Sequence, residues 1–314
     1  MLLAVGYHYV AERAPEEPRA IFPVTTEQLA AQIELLSRDY ELVSRDELVA
    51  AATGDADLPN HACVLTFDDG LRCQYELALP VLGRLGAPAV FFVPGRPLAE
   101  GRVLEVHKLH ALRERLADDE LRARLPDGLP EVSAEEAQTH YRYDTPGAAA
   151  LKFLLNIRLP AGRRRELVDS LFATEFPDEG AVADELYMDG DQVAELEREH
   201  HAVGAHSYAH QPLATLSNGE LEDDLERVTL LLEEIMGSRP RAFSYPYGTP
   251  ETVDARTTAA VVAAGYGVAF TMRRDVNHSL DEPLLLARLD TNDAPGGTRP
   301  ILGEPRGPDR TASA

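Results

Sequence analysis

Tryptophan is absent from this chain of 314 residues, and cysteine occurs only twice, as Cys63 and Cys73. Their spacing matches neither a disulfide framework nor a cysteine-based metal site. Long apolar runs are also missing, so no segment predicts a membrane span. The first residues, "MLLAVGYHYVAERAPEEP", lack the basic start and the long apolar stretch of an export signal. We therefore expect a reduced, cytoplasmic protein that does not insert into membranes.

Basic residues are scarce relative to acidic ones. The chain has 30 Lys and Arg against 53 Asp and Glu, for a formal net charge of -23. Nucleic acids and anionic membranes are bound through surfaces rich in Lys and Arg. The charge balance therefore argues against nucleic acid as a partner. With 44% hydrophobic residues, the chain is long enough to form one large domain or two small ones.

Short apolar runs alternate with amphipathic stretches along the chain, which is the pattern of βα units. Runs such as "LLAVGYH", "HACVLTF" and "APAVFFV" predict buried strands, and "TTEQLAAQIELLSRD" predicts a capped helix. From about residue 98 to residue 186 the sequence becomes charged and helical in pattern. We therefore predict an α/β barrel-like catalytic domain over residues 1–293, with a helical insertion at about 98–186. Residues 294–314, rich in Pro and Gly, predict a loose tail.

Polar residues follow three of the predicted strands, and parallel strands bring their carboxyl ends to one edge. "TFDDG" places Asp68 and Asp69 after a buried strand, "HSYAH" supplies His206 and His210, and "FSYPYG" ends a third strand near Tyr247. Singly, such motifs are turns or surface features. Together, a histidine pair four residues apart and one carboxylate form a ligand set with open positions. Zinc, or another divalent transition metal, suits these ligands.

"TFDDG", "HSYAH" and "YPYG", in this order, resemble the motifs of the polysaccharide deacetylase superfamily, which includes chitin, peptidoglycan and xylan deacetylases. The resemblance implies a distorted (β/α) barrel and a metal-dependent hydrolase that removes an N-acyl group, most simply acetyl, from an amino sugar. It implies that Asp68 is the catalytic base and that Asp69, His206 and His210 bind one divalent ion. That ion would be zinc, with cobalt, nickel or manganese as alternatives. The backbone N–H of Tyr247 would help to hold the oxyanion.

Two motifs depart from the family pattern, and a third, which contains tryptophan, cannot be placed. Ser244 stands where many members have arginine, and "LLLARLD" offers Arg288 where the family has the histidine that acts as general acid. We expect Arg288 to pair with Asp68 and to keep it ionised. The proton donor stays open between His278, shortly before the last strand, and His8, at the end of the first.

The resemblance also implies that Tyr245 and Pro246 line the substrate groove, and we place His8 beside them. Without an export signal, the expected substrate is a small N-acylated amino sugar, glycoside or sugar nucleotide rather than a polymer. The insertion would roof the barrel mouth; alternatively it packs outside the barrel or forms a homodimer interface. Two other functions stay open. One is a deformylase or amidase acting on a non-sugar amide, and the other is a non-catalytic carbohydrate-binding protein that retains the metal.

Overall fold

The computed structural model of the protein describes residues 1–17, 19–140, 145–198 and 201–302. The chain forms two compact units. The first contains residues 1–14, 23–101 and the chain from residue 184 on, and the second contains residues 15–22 and 102–183. Within the described ranges, no helix is both long enough and apolar enough to cross a membrane.

The first unit is built on parallel strands. Its strands, within the described residues, are β1 (Leu2–Tyr7), β2 (Val10–Ala11), β3 (Val24–Thr25), β4 (Glu41–Leu42), β5 (Ala62–Phe67), β6 (Ala89–Val93), β7 (Ala202–Ala205), β8 (Ala242–Ser244), β9 (Val268–Phe270) and β10 (Leu289–Asp290). Eight of them form one curled sheet in the order β10-β1-β5-β6-β7-β8-β9, with β4 also paired to β5. Strands β2 and β3 pair separately. The predicted α/β barrel-type architecture is confirmed.

Helices connect these strands and make up most of the second unit. Within the described residues they are α1 (Thr26–Asp39), α2 (Arg45–Thr53), α3 (Leu79–Leu85), α4 (Gly95–Glu100), α5 (Glu105–Arg115), α6 (Asp118–Ala123), α7 (Ala134–His140), α8 (Pro146–Phe153), α9 (Ala161–Glu175), α10 (Glu179–Leu186), α11 (Gly190–Arg198), α12 (Asn218–Met236) and α13 (Ala255–Ala263). Helices α5 to α9 belong to the second unit.

Helix starts follow local side-chain chemistry. Capping boxes at Thr25, Ser44, Ser217 and Asp254 begin α1, α2, α12 and α13, because each side chain accepts a backbone N–H that the helix itself cannot satisfy. Pro80 lies in the first turn of α3. It lacks the N–H for a helical bond, and a π-helical turn precedes α3.

Alternate residues of the strands face opposite sides of the curled sheet. On one side, Leu3, Val5 and Leu65 belong to a core that includes residues of α1, α3, α11, α12 and α13. On the other side, Phe92 and Phe270 belong to a second cluster, which also includes residues of α2. Because the strands are parallel, their carboxyl ends lie at one edge of the sheet. The loops that begin at this edge carry Asp68, Asp69, His206, His210 and Tyr247.

The second unit has ion pairs and a small core of its own. Lys108 in α5 is buried, and its Nζ lies 2.7 Å from Asp169 Oδ1 and 2.9 Å from Glu179 Oε1. Ala137, Ala149 and Phe153 form a separate buried cluster between α7 and α8. Burial of the Lys108 ammonium is acceptable because two carboxylates compensate its charge.

The segment predicted to be a loose tail differs from that expectation over its first nine described residues. The Arg299 N–H donates to Asn292 O at 2.8 Å, and the Ile301 N–H donates to Asp293 O at 2.9 Å. Gln32 in α1 also donates to the carbonyl of Pro295 at 3.1 Å. These bonds fix residues 294–302 onto the first unit. Residues 303–314 lie outside the described part of the chain.

Candidate metal centre and catalytic site

Three ligand-type side chains meet at the carboxyl edge of the sheet. Asp69 follows β5, and His206 and His210 follow β7. Asp69 Oδ1 lies 3.4 Å from His206 Nε2 and 3.3 Å from His210 Nε2, and all three residues are buried. Their ligand atoms lie within 4.8 Å of one another. One carboxylate oxygen and two imidazole nitrogens at this spacing fit a divalent transition metal with open coordination positions.

The hydrogen bonding of His206 prepares one nitrogen for a metal. Its Nδ1 lies 2.7 Å from the carbonyl oxygen of Ser244. Because a carbonyl only accepts, this bond places the proton on Nδ1 and leaves the lone pair of the neutral ring on Nε2. A carbonyl that fixes the far nitrogen is the usual second partner of a metal-binding histidine. The pKa of His206 is raised, because the carboxylates of Asp68 and Asp69 outweigh the burial that would lower it.

Backbone strain is concentrated at this cluster. Among the described residues, the non-glycine residues with positive φ are Asp69 (79°), Ser207 (60°), His210 (52°) and Tyr247 (63°). Each such residue costs about 1–3 kcal/mol and persists only where surrounding contacts hold it. Since all four belong to the predicted motifs, the fold maintains the strain where side chains must be aimed.

Arg288 and Asp68 form the predicted ion pair beneath the cluster. Arg288 Nη1 donates to Asp68 Oδ1 at 2.7 Å, and Nη2 donates to Oδ2 at 2.5 Å. The same guanidinium donates to Thr66 Oγ1 at 3.1 Å and to Ser244 Oγ at 3.0 Å, and Ser244 in turn donates to Asp68 Oδ2 at 3.1 Å. Position 244, in β8, therefore holds a serine that hydrogen-bonds to an arginine placed just before β10, instead of supplying the arginine itself.

The charge state of Asp68 follows from these contacts. Burial alone would raise its pKa, but the Arg288 guanidinium, with a contribution from His206, outweighs burial and lowers the pKa to about 2. Gly6 in β1 leaves room for the arginine, since a Cβ there would lie 3.3 Å from Arg288 Cδ and Nε. Asp68 is thus a buried carboxylate that stays ionised beside the candidate metal ligands.

His8 lies at the same edge as Asp68. It follows β1, and the register pairs Tyr7 with Phe67, the residue before Asp68. The Gln74 amide holds both strand ends, donating to the carbonyl of Asp68 at 2.5 Å and to that of His8 at 3.0 Å. The structure therefore brings His8 to the site. Gln74 was not predicted, and only its place just after the Asp-Asp-Gly motif could have indicated it.

Asp224 in α12 contacts the loop between the two histidines and was also missed. Its carboxylate accepts from the Tyr208 N–H at 2.8 Å and from the Ala209 N–H at 3.0 Å. Burial raises the pKa of Asp224, although these hydrogen bonds and that of the Ser207 hydroxyl lower it in part. The sequence carried a signal, because position 224 falls on the apolar stripe of its helix.

The third motif is only partly at the site. Tyr247 lies there, with its ring 5.1 Å from the His210 ring and its side chain 37% exposed. Tyr245 does not, because it is 1% exposed and packs edge-on against Phe243 in the core under the helices. Pro246 is buried as well. Tyr245 is therefore part of the core beneath the helices, and the role of Pro246 in lining a substrate groove stays a prediction.

His278 is distant from the cluster. Its neighbour Asn277 exchanges backbone hydrogen bonds with Leu2, at the amino end of β1. Strand β1 runs from Leu2 to Tyr7, and at about 3.3 Å per residue its two ends are roughly 16 Å apart. His278 is exposed at the edge opposite to Asp68. This placement removes His278 as a proton donor and leaves His8 as the candidate.

Comparison with known proteins agrees with this geometry. The model of the polysaccharide deacetylase family matches residues 55–132 and 169–269. A poly-β-1,6-N-acetyl-D-glucosamine N-deacetylase of Escherichia coli (strain K12) is 33% identical over 90 residues, which are 28% of this chain and 13% of the relative. The matched family segments include the aspartate pair and the histidine pair.

Solved structures share the fold over most of the chain. The Streptococcus pyogenes deacetylase PplD, solved in complex with acetate, has a TM-score of 0.59 and 14% identity, covering 92% of this chain and 91% of that chain. IcaB from Ammonifex degensii has a TM-score of 0.57 and 19% identity, covering 92% of this chain and 90% of that chain. At these identities, the likeness concerns the fold.

Proposed function

The chain belongs to the polysaccharide deacetylase family, and from this premise we propose that it is a metal-dependent hydrolase that removes the N-acetyl group of an amino sugar. The observation that carries the proposal is the buried Asp69, His206 and His210 cluster next to an ionised Asp68. In this proposal the three residues hold one divalent ion, with zinc as the metal. When bound, such an ion supplies Lewis acidity and lowers the pKa of water.

The remaining residues of the site have separate tasks. Asp68, whose oxygens lie at the cluster, accepts the proton of the attacking water. His206 Nε2 lies 3.9 Å from Asp68 Oδ2, so base and metal ligands face the same space. Arg288 keeps Asp68 ionised. Tyr247 has a positive φ and lies beside His210, and its backbone N–H helps to stabilise the oxyanion. His8 protonates the leaving amine.

The amino-sugar substrate is proposed from the family and from the partial similarity to the Escherichia coli deacetylase, which covers 28% of this chain. A deformylase or a non-sugar amidase would use the same site. A non-catalytic binding protein would not need an ionised carboxylate paired to a buried arginine beside the metal ligands. A deacetylase releases acetate, a deformylase releases formate and a binding protein releases neither. The acid released, and the amide from which it is released, therefore separate the alternatives.

The test uses metal-depleted protein prepared with a chelator and reloaded with Zn²⁺ or Co²⁺. N-acetylglucosamine and its oligomers, their N-formyl analogues and simple N-acetyl amines serve as substrates, with acetate and formate assayed separately. We expect metal-dependent acetate release from the sugars. His206→Ala should lose metal and activity, whereas His61→Ala, an exposed histidine before β5, should keep both. Full activity without metal, or only formate release, contradicts the proposal.

A further inference from the structure

The loop between the two metal-site histidines is held from outside rather than by regular structure. Residues 206–210 lie in neither a strand nor a helix. Ser207 and His210 have φ of 60° and 52°, a conformation that costs non-glycine residues free energy. His206 is tied to the sheet, since its N–H donates to Val93 O at 3.1 Å. The position of His210 depends instead on the loop that leads to it.

Asp224 is the residue that holds this loop. Its two carboxylate oxygens accept from the consecutive N–H groups of Tyr208 (2.8 Å) and Ala209 (3.0 Å). The neighbouring Ser207 hydroxyl accepts from the His210 N–H at 2.8 Å. Asp224 thus fixes the two residues between Ser207 and His210, and the Ser207 hydroxyl fixes the His210 N–H.

The same loop is fixed on its other side by α4 and by the ring of Tyr208. The Gly95 N–H donates to Ser207 O at 3.1 Å, and the Arg96 N–H donates to Tyr208 O at 2.7 Å. The Arg227 guanidinium lies 3.6 Å from the centre of the Tyr208 ring. With these contacts in place, Asp224 is the buried anionic contact of the loop: it is 6% exposed and accepts two backbone donors.

We propose that Asp224 is a positioning residue that sets the metal affinity of the site by holding His210 against His206 and Asp69. The inference rests on the proposed metal function. A carboxylate can accept from two adjacent N–H groups at once, whereas an asparagine amide would turn an NH₂ towards one of them. Loss of Asp224 would therefore leave a buried N–H without an acceptor and let the strained loop relax.

The experiment compares Asp224→Asn with Glu226→Gln, which removes an exposed carboxylate from the same helix. Both variants, depleted of metal, are titrated with Zn²⁺ against a chromogenic chelator, and with Co²⁺ while the visible absorption spectrum is recorded. We expect Asp224→Asn to bind Zn²⁺ about 10–100-fold more weakly, the range found for second partners of metal ligands. Its Co²⁺ spectrum should change, and Glu226→Gln should match the unmodified protein on both measures.

A second variant covers the case in which Asp224→Asn does not fold. Ser207→Ala removes only the hydroxyl that accepts from the His210 N–H in the same loop, and it should weaken Zn²⁺ binding to a smaller extent with the fold retained by circular dichroism. Zn²⁺ affinities of folded Asp224→Asn, or of Ser207→Ala, within twofold of the Glu226→Gln value would overturn the inference. His206→Ala in the same titration separates the two proposals: if it also binds normally, the metal site itself is misassigned.

Discussion

Arg288 and Asp68 form a bidentate ion pair, with an Nη1–Oδ1 distance of 2.7 Å and an Nη2–Oδ2 distance of 2.5 Å. The two side chains are 0% and 3% exposed. Asp68 directly follows β5 and Arg288 directly precedes β10, and these two strands are separated in the sheet by β1. Gly6 of β1 makes this possible, because the arginine passes over it. Removing one partner of a buried pair leaves the other charge uncompensated and costs about 3–5 kcal/mol.

The first prediction concerns Arg288→Met. In the native protein the pKa of Asp68 is lowered to about 2, so the stabilisation from the ion pair is present at neutral pH and is lost only as pH falls through that value. Without the guanidinium, burial raises the pKa of Asp68. The acid side of the pH profile of kcat/KM should therefore move to higher pH, with a lower maximal rate.

The control for this variant is Arg163→Met. The Arg163 side chain is half exposed, and its ion pair with Glu166 lies on the surface of its own helix, α9. It should leave the profile unchanged. Arg288→Lys keeps a charge but not the two parallel bonds, and an intermediate shift is expected. An acid limb in Arg288→Met that coincides with that of the native enzyme would show that this pair does not set the ionisation of Asp68.

The second prediction separates the two adjacent aspartates. Asp68→Asn should keep metal binding and lose about 10²–10⁴-fold in kcat, the usual contribution of a general base. Asp69→Asn should weaken metal binding itself, because the ligand oxygen nearest both histidines is replaced. Metal content by elemental analysis and kcat at saturating metal are measured for both. Equal loss of metal would make Asp68 a ligand and place the base elsewhere.

The third prediction concerns the proton donor. His8→Gln should lower kcat and abolish the fall of the rate at high pH, since His8 is the histidine at the end of β1 beside Asp68. His278→Gln is the matched control, because His278 lies exposed near the opposite end of the same strand. The pH profile of kcat is the measurement. If both variants keep the native profile, the amine is protonated by water or by another residue.

The fourth prediction tests the space occupied by Arg288. Gly6→Ala places a Cβ about 3.3 Å from Arg288 Cδ and Nε. This contact should displace the guanidinium, with a clear loss of kcat and only a small loss of thermal stability. Gly83→Ala in α3 meets nothing within 4 Å and should stabilise the protein by about 0.5–1 kcal/mol without changing kcat. Thermal melts and kcat are compared. Native activity in Gly6→Ala would mean that the arginine has room to move.

Much of the fold could be predicted from the sequence, because the strands are short apolar runs and several of the helices between them begin at clear capping residues. The capped helix predicted over "TTEQLAAQIELLSRD" is α1, which begins after Thr25. The hydrophobic pattern of the sequence predicted no structure for residues 294–302. These residues are held by hydrogen bonds, including one from Gln32 in the distant helix α1. Such long-range hydrogen bonds leave no local pattern in the sequence.

The site shows the same division. The spacing of His206 and His210 predicted a histidine pair that binds a metal with one carboxylate, and the resemblance to the deacetylase family implied that this carboxylate is Asp69. The structure brings the three residues together. The burial of the Tyr245 side chain could also have been predicted. Side chains alternate along a strand, so Tyr245 points away from the side on which Ser244 contacts Asp68 and Arg288. Asp224, by contrast, contacts the histidine loop from a helix that begins eight residues after His210, and only a charged residue on an apolar stripe marked it.

The last prediction concerns the length of the saccharide. The sequence predicts a small N-acylated amino sugar or sugar nucleotide, bound in an enclosed pocket, rather than a polymer. An enclosed pocket gains nothing from sugars it cannot contain, whereas an open groove gains affinity with each bound sugar. We therefore expect kcat/KM to be nearly constant from one to five N-acetylglucosamine units, in both the β-1,4- and the β-1,6-linked series. A nucleotide-linked monomer should be deacetylated at least as well as the oligomers. A steady rise of kcat/KM with length, in either series, would instead indicate a polymer groove and exclude the small-substrate proposal while leaving the metal site and the deacetylase activity intact.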